Sequence, residues 1–151
     1  MSDRHATVVM PRGAAVVALL AVALGAAQGC AKPVKLVPAE GIVEIGGTPA
    51  EGVVVQFLPR PVEGEKRPSS FATTGADGTF RLMTHDGKAG AVVGDHAVLL
   101  IDSLEERRPQ GAGPGKPPRL DSRYTSVKGG LTATVSEGAG PITLRVPAAT
   151  P

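Results

Sequence analysis

Residues 41–59 read GIVEIGGTPAEGVVVQFLP, and the spacing of apolar side chains within them decides the fold class. Val43 and Ile45 alternate with Ile42 and Glu44 until Gly46 and Gly47 break the run; Val53, Val55 and Phe57 then share one face until Pro59 and Pro61 end it. Period-two alternation belongs to a strand with one side in a core, and glycine and proline punctuate it. The stretch therefore predicts two strands paired with each other.

The same pattern recurs along the chain. Ser70 to Thr74 is a weaker strand, and Ala76-Asp77-Gly78-Thr79 links it to Phe80–Thr84, with Phe80 and Leu82 facing inward, because Asp-Gly suits the positive backbone angles of a hairpin turn. His96 to Ile101 is a nearly continuous apolar run, the signature of a central strand. Leu131, Ala133 and Val135, followed by Ile142, Leu144 and Val146, alternate with polar residues and predict a closing hairpin. With no helical period anywhere in this region, the expectation is all-β: a single seven-stranded sandwich of two sheets over residues 40–147. Residues 148–151 form a tail.

Composition agrees and excludes some functions. The 151 residues are 42% hydrophobic but 3% aromatic, with 20 glycines, 14 prolines and no tryptophan, so the core must be aliphatic. Sixteen lysines and arginines nearly balance fourteen aspartates and glutamates. Without a basic face carrying interleaved aromatics there is no footprint for nucleic acid. A single cysteine cannot build a disulfide framework.

That cysteine is the one residue with an assignable chemical role. Arg4 and Arg12 precede an uncharged segment from Gly13 to Gly29, whose apolar part, Ala14 to Ala27, is shorter than the ~20 residues of a spanning helix and ends in small residues. Residues 1–29 therefore read as a signal peptide. Ala26-Ala27-Gln28-Gly29-Cys30 resembles the lipobox of bacterial lipoproteins, although Ala27 stands where leucine is usual and Gln28 where a smaller residue is. The resemblance implies acylation of Cys30, the new N-terminus after cleavage, and a lipid-anchored location in the cell envelope. Residues 30–39, with Lys32 and Lys35, would be a short tether.

Residues 41–59, together with Thr74–Leu82, Tyr124–Ser126 and Gly130–Val135, resemble carboxypeptidase-regulatory-like domains, a transthyretin-like β-sandwich family. With the lipobox, the whole is similar to small lipoproteins of planctomycete-type bacteria. The resemblance implies an accessory or adhesive module without catalytic residues, cofactor or metal of its own, whose partners are the membrane through Cys30 and an envelope protein or polysaccharide.

The residues themselves offer little chemistry. After residue 29 the imidazoles are His85, in a turn, and His96, at a strand edge, and no serine stands in Gly-x-Ser-x-Gly. The Tyr-Arg-Gly-Ser signature of the purine-pathway hydrolase on the transthyretin-like fold does not occur. Asp77, Asp86 and Asp95 could be hard oxygen donors for calcium, yet each adjoins a glycine, as turn residues do. A carbohydrate- or calcium-binding accessory domain is the alternative reading, and an unrecognised hydrolase the third; Phe57, Phe71, Phe80 and Tyr124 are the aromatics available for stacking on a sugar. Residues 102–123, with Pro109, Pro114, Pro117 and Pro118 among glycines and mixed charges, predict a long loop without strand or helix.

Overall fold

The computed structural model describes residues 34–106 and 118–150. Cys30 and the apolar segment before it lie outside these, as do residues 107–117 of the Pro/Gly-rich stretch. In order, the strands are β1 (Leu36–Val37), β2 (Glu40–Ile45), β3 (Thr48–Pro49), β4 (Val53–Pro59), β5 (Ser70–Thr73), β6 (Thr79–Arg81), β7 (Met83–Thr84), β8 (Ala91–Val92), β9 (Gly94–Asp102), β10 (Thr132–Val135) and β11 (Ile142–Val146). Among the described residues, helix is confined to one turn, α1 (Ser103–Glu106), and two 3-10 turns at Ser122–Thr125 and Val127–Gly129. The fold is all-β.

Five strands form one sheet in the order β10-β9-β4-β5-β7. A second sheet is built on β2, with β11 parallel on one side and β3 and β6 antiparallel on the other. Both feed one core: Val43, Ile45, Leu144 and Val146 from the second sheet are buried together with Val53, Val55, Phe57, Val98 and Leu100 from the first. The rings of Phe57 and Phe80 meet across it, 6.2 Å between centroids. Phe80 and Leu82 point inward, as the alternation predicts.

Pairing differs from the expectation at three places. The 41–45 and 53–59 strands do not pair: β2 and β4 belong to different sheets. The Gly46-Gly47 turn returns the chain for two residues only, because Pro49 has no N–H to extend the ladder, and Gly52, at φ 71°, sends it across to the other sheet. Nor do β10 and β11 form a hairpin, since β10 adds to β9 and β11 runs parallel to β2. Phe80–Thr84 is likewise divided, β6 pairing with β2 and β7 with β5, while Leu82 between them donates its N–H to Ala39 O.

The domain also reaches beyond the expected boundaries. β1, within the expected tether, pairs with β8, and Val37 and Ala39 are buried. Glycine is obligatory at this junction: a Cβ on Gly90 would stand 2.1 Å from Val37 O, at φ 102°. At the other end, Ala148 bridges Leu120, and Ala149 donates to Arg119 O, so part of the expected tail is held. The Pro/Gly-rich stretch is ordered at both ends by a forked ion pair. Arg119 Nε and Nη2 lie 2.5 and 2.9 Å from the carboxylate of the buried Asp102, and Nη2 also donates to Glu51 O. Beside it Leu120 enters the core, and Tyr124 packs against it.

One buried side chain stitches the crossing from the second sheet into β4. Thr74 Oγ1 donates to Ala50 O (2.6 Å) and accepts from Val53 N–H (2.9 Å). Thr74→Val preserves shape but leaves both backbone groups unpaired in the interior, so the expected cost is about 2 kcal/mol. A lowered urea midpoint with an unchanged m-value checks it.

Candidate functional site

The two sheets present opposite kinds of outer face. On the β2 sheet, outward positions carry Glu40, Glu44, Arg81 and Arg145, joined across strands by Arg145 Nε to Glu44 (2.7 Å) and Arg81 Nε to Glu40 (3.2 Å). This is an ordinary solvated sheet face, polar and cross-strand paired.

The five-stranded sheet does the reverse. Inward positions on β9 are His96, Val98, Leu100 and Asp102, which leaves Ala97, Leu99 and Ile101 pointing out. On β4 the outward residues are Val54, Gln56 and Leu58. Register aligns them into rows: Leu99, Gln56, Phe71 and Met83 form one, and Ile101, Val54 and Thr73 the next. Phe71 and Met83 are 43% and 47% exposed. Neither row contains an ionised side chain; the nearest carboxylate on β9, Asp95, accepts from Thr134 Oγ1 on β10 at 2.7 Å. These outward residues form a mainly apolar patch interrupted by Gln56 and Thr73. His85 borders the patch, its ring 6.5 Å from that of Phe71.

His96 is not the strand-edge residue expected from sequence. It is 1% exposed and packs at a tilt against Phe57, ring centroids 5.5 Å apart. Its alternation with Val98 and Leu100 was the available signal for an inward position. Nε2 lies 2.7 Å from Val92 O, so this nitrogen donates and Nδ1 is the unprotonated one. Nδ1, Ser70 Oγ and Arg67 Nε are buried without a hydrogen-bond partner among the described residues. Arg67 spends its other nitrogens on Arg60 O and Val93 O. Burial pushes the His96 pKa down and nearby Arg67 adds to this, against the opposing pull of Val92 O and Asp95. No hydrogen bond joins His96 to Ser70, so the two do not form an activated nucleophile.

The candidate calcium ligands stand apart: Asp77 and Asp86 in separate turns, and Asp95 not in a turn, as its neighbouring glycine suggested, but within β9 opposite Thr134. Asp77 accepts from Thr79 N–H and Oγ1, Asp86 from Thr84 Oγ1 and Lys88, and Asp95 from Thr134. The Lys88 and Thr84 bonds hold the Asp86 carboxyl down at about 2, and Thr79 lowers that of Asp77. Among the described residues no three such side chains are grouped to hold a metal ion. Cys30 lies outside the described residues.

His96 gives the domain a pH dependence of definite sign. Its folded pKa lies below the unfolded value near 6.5, so the stability it confers is complete above that pH and is lost as pH falls, when the unfolded chain takes a proton the folded one refuses. The limiting slope is about 1.4 kcal/mol per pH unit. Chemical denaturation between pH 7.5 and 5 is expected to show this decline, and His96→Gln to flatten it. Aspartates held low, such as Asp86, add their losses only in stronger acid. No family model, curated protein or solved structure matches the chain.

Proposed function

We propose that this chain is a lipid-anchored, non-catalytic module of the bacterial cell envelope, a carboxypeptidase-regulatory-like β-sandwich that binds another envelope component through an apolar sheet face. The observation that carries the reading is the contrast between the two outer faces. One sheet keeps cross-strand ion pairs in water, and the other turns Leu99, Ile101, Val54, Phe71 and Met83 outward. Seven strands of three or more residues, β2, β4, β5, β6, β9, β10 and β11, sharing one aliphatic core support the sandwich assignment.

Anchoring follows from position. Cys30 stands six residues before Leu36, and a chain extends at most about 3.5 Å per residue, so an acyl group on Cys30 would hold β1 within roughly 20 Å of the lipid. Each buried methylene contributes about 0.8 kcal/mol, so several acyl chains hold firmly where one would not. The domain contributes a surface kept close to the membrane, and its work is contact rather than turnover.

The anchor is tested at Cys30. The wild-type chain is expected in the membrane fraction with a mass increased by acyl chains, and Cys30→Ser is expected to lose that mass. Unchanged membrane association of Cys30→Ser, with no acyl mass on the wild type, would sink the anchor.

A further inference from the structure

We propose that a cationic cleft beside β1 binds the headgroup of an anionic phospholipid. The proposal rests on the anchored-module reading and names the lipid chemistry that the module meets.

Three segments distant in sequence make the cleft: the start of β1, the connection between β4 and β5, and the turn after β7. Its volume is about 550 Å³, within the range of roughly 300–1,000 Å³ usual for ligand sites. Both loops are fixed by their own hydrogen bonds. Arg67 closes the connection, Nη1 donating to Arg60 O at 2.9 Å and Nη2 to Val93 O. Thr84 holds the turn, its N–H donating to Lys88 O at 2.8 Å and its hydroxyl to Asp86 at 2.6 Å.

The cleft is lined by Lys66, Arg67 and Lys88 against one carboxylate, Asp86. Lys88 is matched to Asp86 at 2.7 Å, so the excess positive charge resides on Lys66 and Arg67. The Arg67 side chain is only 12% exposed, yet its hydrogen bonds go to neutral carbonyls and Glu65 stands off at 3.7 Å, which leaves its charge partly offset. Lys66 is exposed and has, among the described residues, neither an ion pair nor a side-chain hydrogen bond. Lys35, Arg81, Arg123 and Arg145, by contrast, each reach a carboxylate at 3.2 Å or less. An anion entering the cleft meets positive charge that the protein has not already neutralised.

Two further features make that anion a lipid. Val34 and Leu36 give the cleft a half-buried apolar side, which a free phosphate would leave unused and the glycerol and first methylenes of a lipid would cover. Val34 also stands four residues after Cys30, so at about 3.5 Å per residue it lies within roughly 14 Å of an acylated cysteine. Lipid is then present at high effective concentration, and a site of modest intrinsic affinity is filled. Occupied, the cleft turns the β1 corner toward the bilayer.

Native mass spectrometry of the full-length chain, expressed in bacteria and released in mild detergent, reads the anchor and the cleft together. With added phosphatidylglycerol the expected spectrum shows a single bound lipid, roughly ten-fold more than with phosphatidylcholine, which has the same tails but no net charge. Lys66→Gln is expected to weaken binding about five-fold and Lys66→Glu further, whereas Lys128→Glu, on an exposed 3-10 turn, leaves it unchanged. Unaltered urea midpoints show that the variants fold. Equal binding of the two lipids, or full binding by Lys66→Glu, overturns the proposal. So does glycerol 3-phosphate binding as tightly as phosphatidylglycerol, because a free anion then suffices. The same spectra separate the two readings. A chain with acyl mass but no bound lipid removes the cleft and leaves the anchor, bound lipid without acyl mass removes the anchor and leaves the cleft, and a chain with neither removes both.

Discussion

The pairing of β4 with β9 over seven residues, from Val53 opposite Asp102 to Pro59 opposite His96, is the contact on which the other elements depend. Each strand is flanked on its far side, by β5 and β10, so the pair forms the middle of the larger sheet. Its inward side chains, Val53, Val55, Phe57, Val98 and Leu100, are the floor on which the second sheet rests. Its two ends carry the polar fastenings. At one, Asp102 grips Arg119 and gathers the ends of the Pro/Gly-rich stretch; at the other, His96 and Arg67 hold the corner between β8 and β9 through Val92 O and Val93 O. Period-two burial fixes both faces at once, because shifting either strand by one residue would bring Leu99 and Gln56 into the core and expel Phe57.

Inward faces were readable from the sequence, and partners were not. Alternation states which side chains share a face but is silent on which strand lies alongside, and β2 and β4 bury the same apolar spacing from opposite sides of one core. The closing hairpin failed for the same reason: Leu144 and Val146 face inward as expected, yet from the other sheet. At the start of the domain, Leu36 and Val37 were too short a run to register as a strand, and only their contact with Ala91 and Val92 makes them one.

The apolar face was hidden by a plausible misreading. His96 to Ile101 suggests a strand covered on both sides, as continuous apolar runs in parallel sheets are. Here one side carries the core, and the other turns Ala97, Leu99 and Ile101 toward the same side as Phe71 and Met83. Four strands, β9, β4, β5 and β7, contribute to that surface from residues that are distant in sequence, so no local motif announces it.

The parallel pairing of β11 with β2 has a consequence for the making of the protein. Ile142 aligns with Gly41 and Val146 with Ile45, so the second sheet joins residues a hundred positions apart. Such non-local closure is slow, because a long loop must be fixed before any contact rewards it. The core cannot be completed until the last strand has left the ribosome. If residues 1–29 serve as a signal peptide, that delay leaves the polypeptide still unfolded, and threadable, when translocation begins.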